Sequence, residues 1–133
     1  MKASLATSVF LMLAFIPCAH AAQRTAAGAM DANYPARPIR LIVPQGPGGS
    51  NDIMARYVGG QLAERLGSQV VVDNRPGAEG MIGTEIVARA APDGYTLLMA
   101  SSAFTMNPAV VRKLPYDPLK DFTFAATLGR GPV

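Results

Sequence analysis

From residue 39 onward the apolar positions fall in short blocks that switch between two periods. Ile39-Arg40-Leu41-Ile42-Val43 is apolar, β-branched and bounded by prolines, which predicts a buried strand. Pro44-Gln45-Gly46-Pro47-Gly48-Gly49 cannot continue it and predicts a loop. Ser50 or Asn51 then caps a helix, with Asp52 in the first turn, where a carboxylate suits the positive end of the dipole. Met54, Val58, Leu62 and Leu66 recur every fourth residue, flanked by Ile53 and Tyr57, and give that helix one apolar stripe. Gly67 is its C-cap.

The same alternation repeats. Val70-Val71-Val72 is a second buried strand ending at Asp73-Asn74, and Arg75-Pro76-Gly77-Ala78-Glu79-Gly80 is a loop. A second helix follows, with Ile82, Ile86 and Ala90 on one stripe and Val87 and Ala91 beside it. Pro92-Asp93-Gly94 is a turn, and Tyr95-Thr96-Leu97-Leu98-Met99 a third strand. Short apolar strands separated by amphipathic helices imply right-handed crossovers, so the expected class is α/β with a βαβαβ parallel sheet. Past Ala100 the pattern weakens. Ser101 to Asn107 reads as polar loop, Pro108 to Arg112 as one helical turn, and Phe122 to Leu128 as a candidate fourth strand.

The chain before residue 37 has a different character. Met1-Lys2 precedes an apolar stretch from Leu5 to Ile16, and Ala19-His20-Ala21 offers a peptidase site before Ala22. A dozen apolar residues cannot span a bilayer as a helix, which needs about 20. Residues 1–21 are therefore expected to be a cleaved signal peptide, with a second possible cut after Ala29, and residues 22–36 a flexible lead. The exported chain would not itself span a membrane. The only cysteine, Cys18, and the only histidine, His20, both lie in the signal segment. Without them the chain has no disulfide, no thiolate site and no imidazole base, so no cofactor or metal site is expected.

Net charge is +3, and the arginines are scattered singly at 37, 40, 56, 65, 75 and 89. A nucleic-acid footprint would cluster them, so no nucleic-acid partner is expected.

Ligands of open parallel sheets bind beyond the carboxyl ends of the strands. Three loops fall there: Pro44–Asn51, Asn74–Gly80 and Ser101–Asn107. The first runs into a helix N-terminus, where free N–H groups favour an anion. Its glycines serve ligand approach and tight turning equally well. It matches neither the Walker nor the dinucleotide pattern. Asp52 reads first as a capping carboxylate. The hydroxyls of Ser101, Ser102 and Thr105 could donate to a carboxylate, but no histidine is available to activate them. Arg75 reads as a partner of Asp73 or Glu79.

Several phrases are more specific. Pro38-Ile39-Arg40-Leu41-Ile42-Val43-Pro44, Pro47-Gly48-Gly49-Ser50-Asn51-Asp52 and Val70-Val71-Val72-Asp73-Asn74-Arg75-Pro76-Gly77-Ala78 come first. Ala90-Ala91-Pro92-Asp93-Gly94-Tyr95-Thr96-Leu97-Leu98, Asn107-Pro108 and Leu114-Pro115-Tyr116-Asp117-Pro118-Leu119-Lys120-Asp121-Phe122 follow. In this order and spacing they resemble the Bug family, the substrate-binding receptors of tripartite tricarboxylate transporters.

The resemblance implies a type II periplasmic-binding-protein fold whose two lobes close on a small carboxylate and deliver it to membrane permease subunits without reaction. It places Gly48, Gly49, Ser50 and Asp52 at one ligand carboxylate, and Ser101 and Ser102 at the cleft edge. Gln45-Gly46, Ala103 and Phe104 depart from the family pattern. Since members of the family are more than twice as long, residues 37–133 are expected to form an incomplete first lobe with the second lobe missing, unable to bind fully. The expected location is the periplasm. The competing expectation is a small exported α/β module with an enzymatic or interaction role.

Overall fold

The computed structural model describes residues 33–129. The expected signal peptide and all but the end of the expected lead lie outside them. Strand β1 (Ile39–Val43), helix α1 (Ser50–Leu66), strand β2 (Val70–Asn74), a 3₁₀ turn (Ala78–Gly80), helix α2 (Met81–Ala88), strand β3 (Thr96–Leu98) and helix α3 (Ser102–Val110) follow in order. The three strands form one sheet in the order β2-β1-β3, and both pairings are parallel. The βαβαβ reading is therefore correct.

β1 is the centre of the domain because both its faces are apolar. Ile39, Ile42 and Val43 are almost wholly removed from solvent, each such side chain contributing about 1.5–3 kcal/mol on burial. Leu41 and Val43 pack with Ala55, Met99, Val70, Val72 and Leu97 in one cluster under α1. In register, Ile39 lies beside Val70 and Val43 beside Asn74, while Ile42 lies beside Leu98. The ladders extend past the strand ends: Arg75 N–H donates to the Val43 carbonyl and Met99 N–H to the Ile42 carbonyl, each at 2.8 Å. All three loops beyond the strands thus start from a rigid edge.

Several local expectations change. The buried stripe of α1 is Asp52, Ala55 and Gly59, whereas Met54 and Leu66 are exposed. Small residues let the helix axis approach the sheet: a Cβ at Gly59 would stand 3.4 Å from Val70 Cγ1. The helix therefore presents its least bulky face to β2. α2 ends at Ala88, before Ala90, and buries Gly83 and Thr84 rather than Ile82, for the same reason. β2 is an edge strand, with Val71 exposed on a face that no described element covers.

Ser102 to Asn107, expected as a loop, form the first part of α3, which runs on through the helical turn expected from Pro108 and ends at Val110 instead of Arg112. The helix persists because Phe104 and Asn107 are buried on one side of it. Phe104 stacks on Tyr116 and meets Phe122 edge-on at 5.1 Å. Burying these rings outweighs the single backbone bond that a proline removes. Phe122 to Leu128 is not a strand. Phe122 is drawn into the aromatic cluster, and the segment does not pair with the β3 edge.

At the opposite end of the sheet the last residues of the expected lead are fastened. Tyr34 Oη donates to the Gly94 carbonyl at 2.8 Å, and Ala36 N–H donates to Tyr95 Oη at 2.8 Å. Arg37 lies over the Tyr95 ring at 4.1 Å and pairs with Asp93 at 2.8 Å. Both partners of that pair are largely solvated, so Arg37→Ala is expected to cost only about 1 kcal/mol. A thermal melt checks this: a midpoint drop of roughly 4–8 °C is expected.

Candidate ligand-binding site

Every loop at the carboxyl edge of the sheet contributes to one cleft of about 260 Å³. Pro44, Gln45 and Gly46 come from the loop after β1, and Pro76, Gly77, Glu79 and Gly80 from the loop after β2. Ser101 and Ala103 come from the N-cap and first turn of α3. Of the residues singled out by sequence, Ser101 lines this cleft, and Gly48, Gly49, Ser50, Asp52 and Ser102 do not.

Asp52 does something else. It is buried, and its Oδ2 accepts from Gly48 N–H at 2.9 Å and from Arg56 Nε at 3.0 Å. Its Oδ1 accepts from Asn74 Nδ2 at 3.0 Å, and the same nitrogen donates to the Gln45 carbonyl at 3.2 Å. One carboxylate therefore joins the glycine loop, the first turn of α1 and the end of β2. The Arg56 hydrogen bond, with help from the Gly48 amide and Asn74, holds this carboxyl at about 2, against the opposing effect of burial. The N-cap itself is Gly49, not Ser50 or Asn51, and it makes no side-chain capping bond. Asp52, three positions into the helix, replaces that cap by reaching back to the amide of Gly48.

Arg75 pairs with Asp73, through Nε at 2.9 Å, rather than with Glu79. Asp73 also receives Arg40 Nε at 2.8 Å. Its burial opposes ionisation, but the two guanidinium groups outweigh it and lower its pKa. With Arg75 so engaged, Glu79 is, among the described residues, the one ionisable side chain on the cleft wall.

The turn after β2 is the feature that sequence reasoning placed at the ligand edge without assigning residues. Gly77, Ala78, Glu79 and Gly80 have φ of 128°, 46°, 53° and 82°, four successive residues in the left-handed half of backbone space. Glycine takes that conformation freely, whereas Ala78 and Glu79 are strained there, at about 1–3 kcal/mol each. The sequence signal was the pair Gly77 and Gly80, but nothing in composition shows that the residues between them share the conformation.

Residues 54–133 match the protein family described as tripartite tricarboxylate transporter family receptor. The chain belongs to that family. The protein BugT of Bordetella pertussis is 46% identical over 102 residues, covering 75% of this chain and 31% of BugT. The solved structure of the periplasmic binding protein BugD superposes with a TM-score of 0.65 at 42% identity, covering 67% of this chain and 30% of BugD. MatC from Rhodopseudomonas palustris, solved with bound malate, gives a TM-score of 0.60 at 37% identity, over 68% of this chain and 31% of MatC. The chain thus spans about a third of the length of the proteins it matches. Its α/β unit is a part of the periplasmic-binding-protein fold. Among the described residues of this family member, no helix is long and apolar enough to cross a membrane.

Proposed function

We propose that this chain supplies one wall of a receptor cleft for small carboxylates. It is exported to the periplasm by residues 1–21, and its receptor delivers ligand to membrane permease subunits. The observation that carries the reading is the convergence of three loops on one cleft at the carboxyl edge of the sheet, in a chain similar to MatC, which was solved with malate. Among the described residues the cleft is lined by proline and glycine positions of the first two loops together with Ser101, and by no histidine or cysteine, which suits holding a carboxylate and not transforming it.

A single wall leaves a bound carboxylate in contact with water, where each hydrogen bond largely exchanges with solvent. Binding by this chain alone is therefore expected in the millimolar range, corresponding to about 4 kcal/mol. Titrating malate into ¹⁵N-labelled protein tests this. Saturable amide shifts at Gly46, Gly77, Gly80 and Ser101 are expected. Shifts confined to other surfaces would reject the cleft, and micromolar affinity would reject the one-wall reading.

Glu79 opposes an anion in this cleft. Replacing Glu79 with Gln removes one exposed like charge, an effect of about 0.5–1 kcal/mol. The expected result is malate binding tightened roughly two- to fivefold at low salt, with the gain shrinking as salt is added. An unchanged affinity at low salt would place the ligand away from Glu79.

A further inference from the structure

Three polar residues are buried among the described residues, Asp52, Thr84 and Asn107, and each ends on a cleft loop. Asp52 holds Gly48, Thr84 Oγ1 donates to the Gly80 carbonyl at 2.8 Å, and Asn107 Nδ2 donates to the Glu79 carbonyl at 3.2 Å. Between Gly77 and Gly80 every carbonyl is engaged. That of Gly77 accepts from Gly80 N–H and that of Ala78 from Met81 N–H. The Glu79 and Gly80 carbonyls take the two side chains. By contrast, neither Ala78 N–H nor Glu79 N–H donates to any described residue. A turn with its carbonyls occupied and successive amides free presents positive potential, as anion-binding nests do.

Three of these four carbonyls are held by atoms of the same local segment. The Glu79 carbonyl alone depends on another element, α3, reached across 28 residues of sequence. We propose that Asn107 is a positioning residue for the carboxylate site, clamping the Glu79 carbonyl so that the Gly77–Gly80 turn keeps its left-handed form and its free amides. The inference rests on the carboxylate reading for its purpose and on the turn geometry for its test.

Two measurements on the unaltered chain come first. One Asn107 side-chain amide proton is expected to exchange slowly with solvent, and Ala78 and Glu79 are expected to show the strong intraresidue amide–Hα NOEs of positive φ. Asn107→Leu keeps the bulk and removes the donor. It is expected to weaken both NOEs and to lower malate affinity at least fivefold, with spectra elsewhere unchanged. Adding Ala78→Gly to that variant is expected to restore much of the affinity, because glycine holds the turn without the clamp; a purely structural role for Asn107 would show no such rescue. Fast exchange of both Asn107 amide protons, or NOEs that persist in Asn107→Leu, would overturn the proposal, and the first of these needs no variant to fold. If the unaltered chain shows no response to malate, the carboxylate reading fails while the NOE comparison still decides the clamp.

Discussion

Gly83→Ala is expected to destabilise the protein by about 2 kcal/mol, although alanine is the better helix former by about 1 kcal/mol. The sign follows from what surrounds Gly83. A Cβ there would lie 2.8 Å from the Arg75 carbonyl oxygen and 2.9 Å from Pro44 Cα. Both are backbone atoms, one just past β2 and one just past β1, so neither can swing aside as a side-chain tip would. Accommodation requires α2 to move off the sheet, and overpacking of this kind costs about 1–3 kcal/mol, here at or beyond the upper end because two strand ends resist together. Gly60, in the middle of α1, has nothing within 4 Å of its Cβ position. The same change there should stabilise by about 0.5–1 kcal/mol. Thermal or urea midpoints of the two variants should therefore move in opposite directions, by roughly 8–16 °C downward for Gly83→Ala. Equal shifts would remove the close packing of α2 from the account of the cleft, since Pro44 and Arg75 carry its two loops.

The second large effect concerns Asp52 and comes with a pH signature. Asp52→Asn preserves shape but puts an amide donor among Gly48 N–H, Arg56 and Asn74, all of which donate to the carboxylate. The variant is expected to melt several degrees lower at pH 7 and to lose the ordered glycine loop. In the folded protein the carboxyl titrates at about 2, below its ordinary value of 3.8. A depressed pKa contributes stability that is fully present above the ordinary value and is lost as pH falls toward the folded one. The midpoints of parent and variant should accordingly converge between pH 4 and about 2. Parallel curves across that window would show that the charge on Asp52 is not what holds the loop.

The blocks of apolar residues were enough to order the strands and helices from β1 to β3, because a βαβ sequence with short turns leaves few topologies. They misplaced the buried faces of both helices. Met54 and Ile82 are more hydrophobic than Ala55 or Gly83, yet the close approach of α1 and α2 to a parallel sheet selects for small volume, and hydropathy does not measure volume. The Ser101–Asn107 segment misled for a related reason. Its polar composition argues for a loop locally, whereas Phe104 and Asn107 find burial only once Tyr116, Phe122 and the Glu79 carbonyl are in place.

The candidate site divides in the same way. Ser101 and the three glycine- and serine-bearing loops could be read from sequence, since strand ends and glycine spacing are local properties. Asp52 could be read as a residue of importance, and its capping alternative proved nearer to its geometry than direct contact with the cleft. By itself the sequence determined the βαβαβ order up to β3, the parallel sheet and membership of the receptor family, because each follows from short-range patterning or from motifs kept in order. Only the tertiary structure decided that Asp52 faces inward, that Glu79 lines the cleft and that Asn107 reaches the turn. Those facts depend on how residues far apart in the chain share hydrogen bonds, and no local period encodes them.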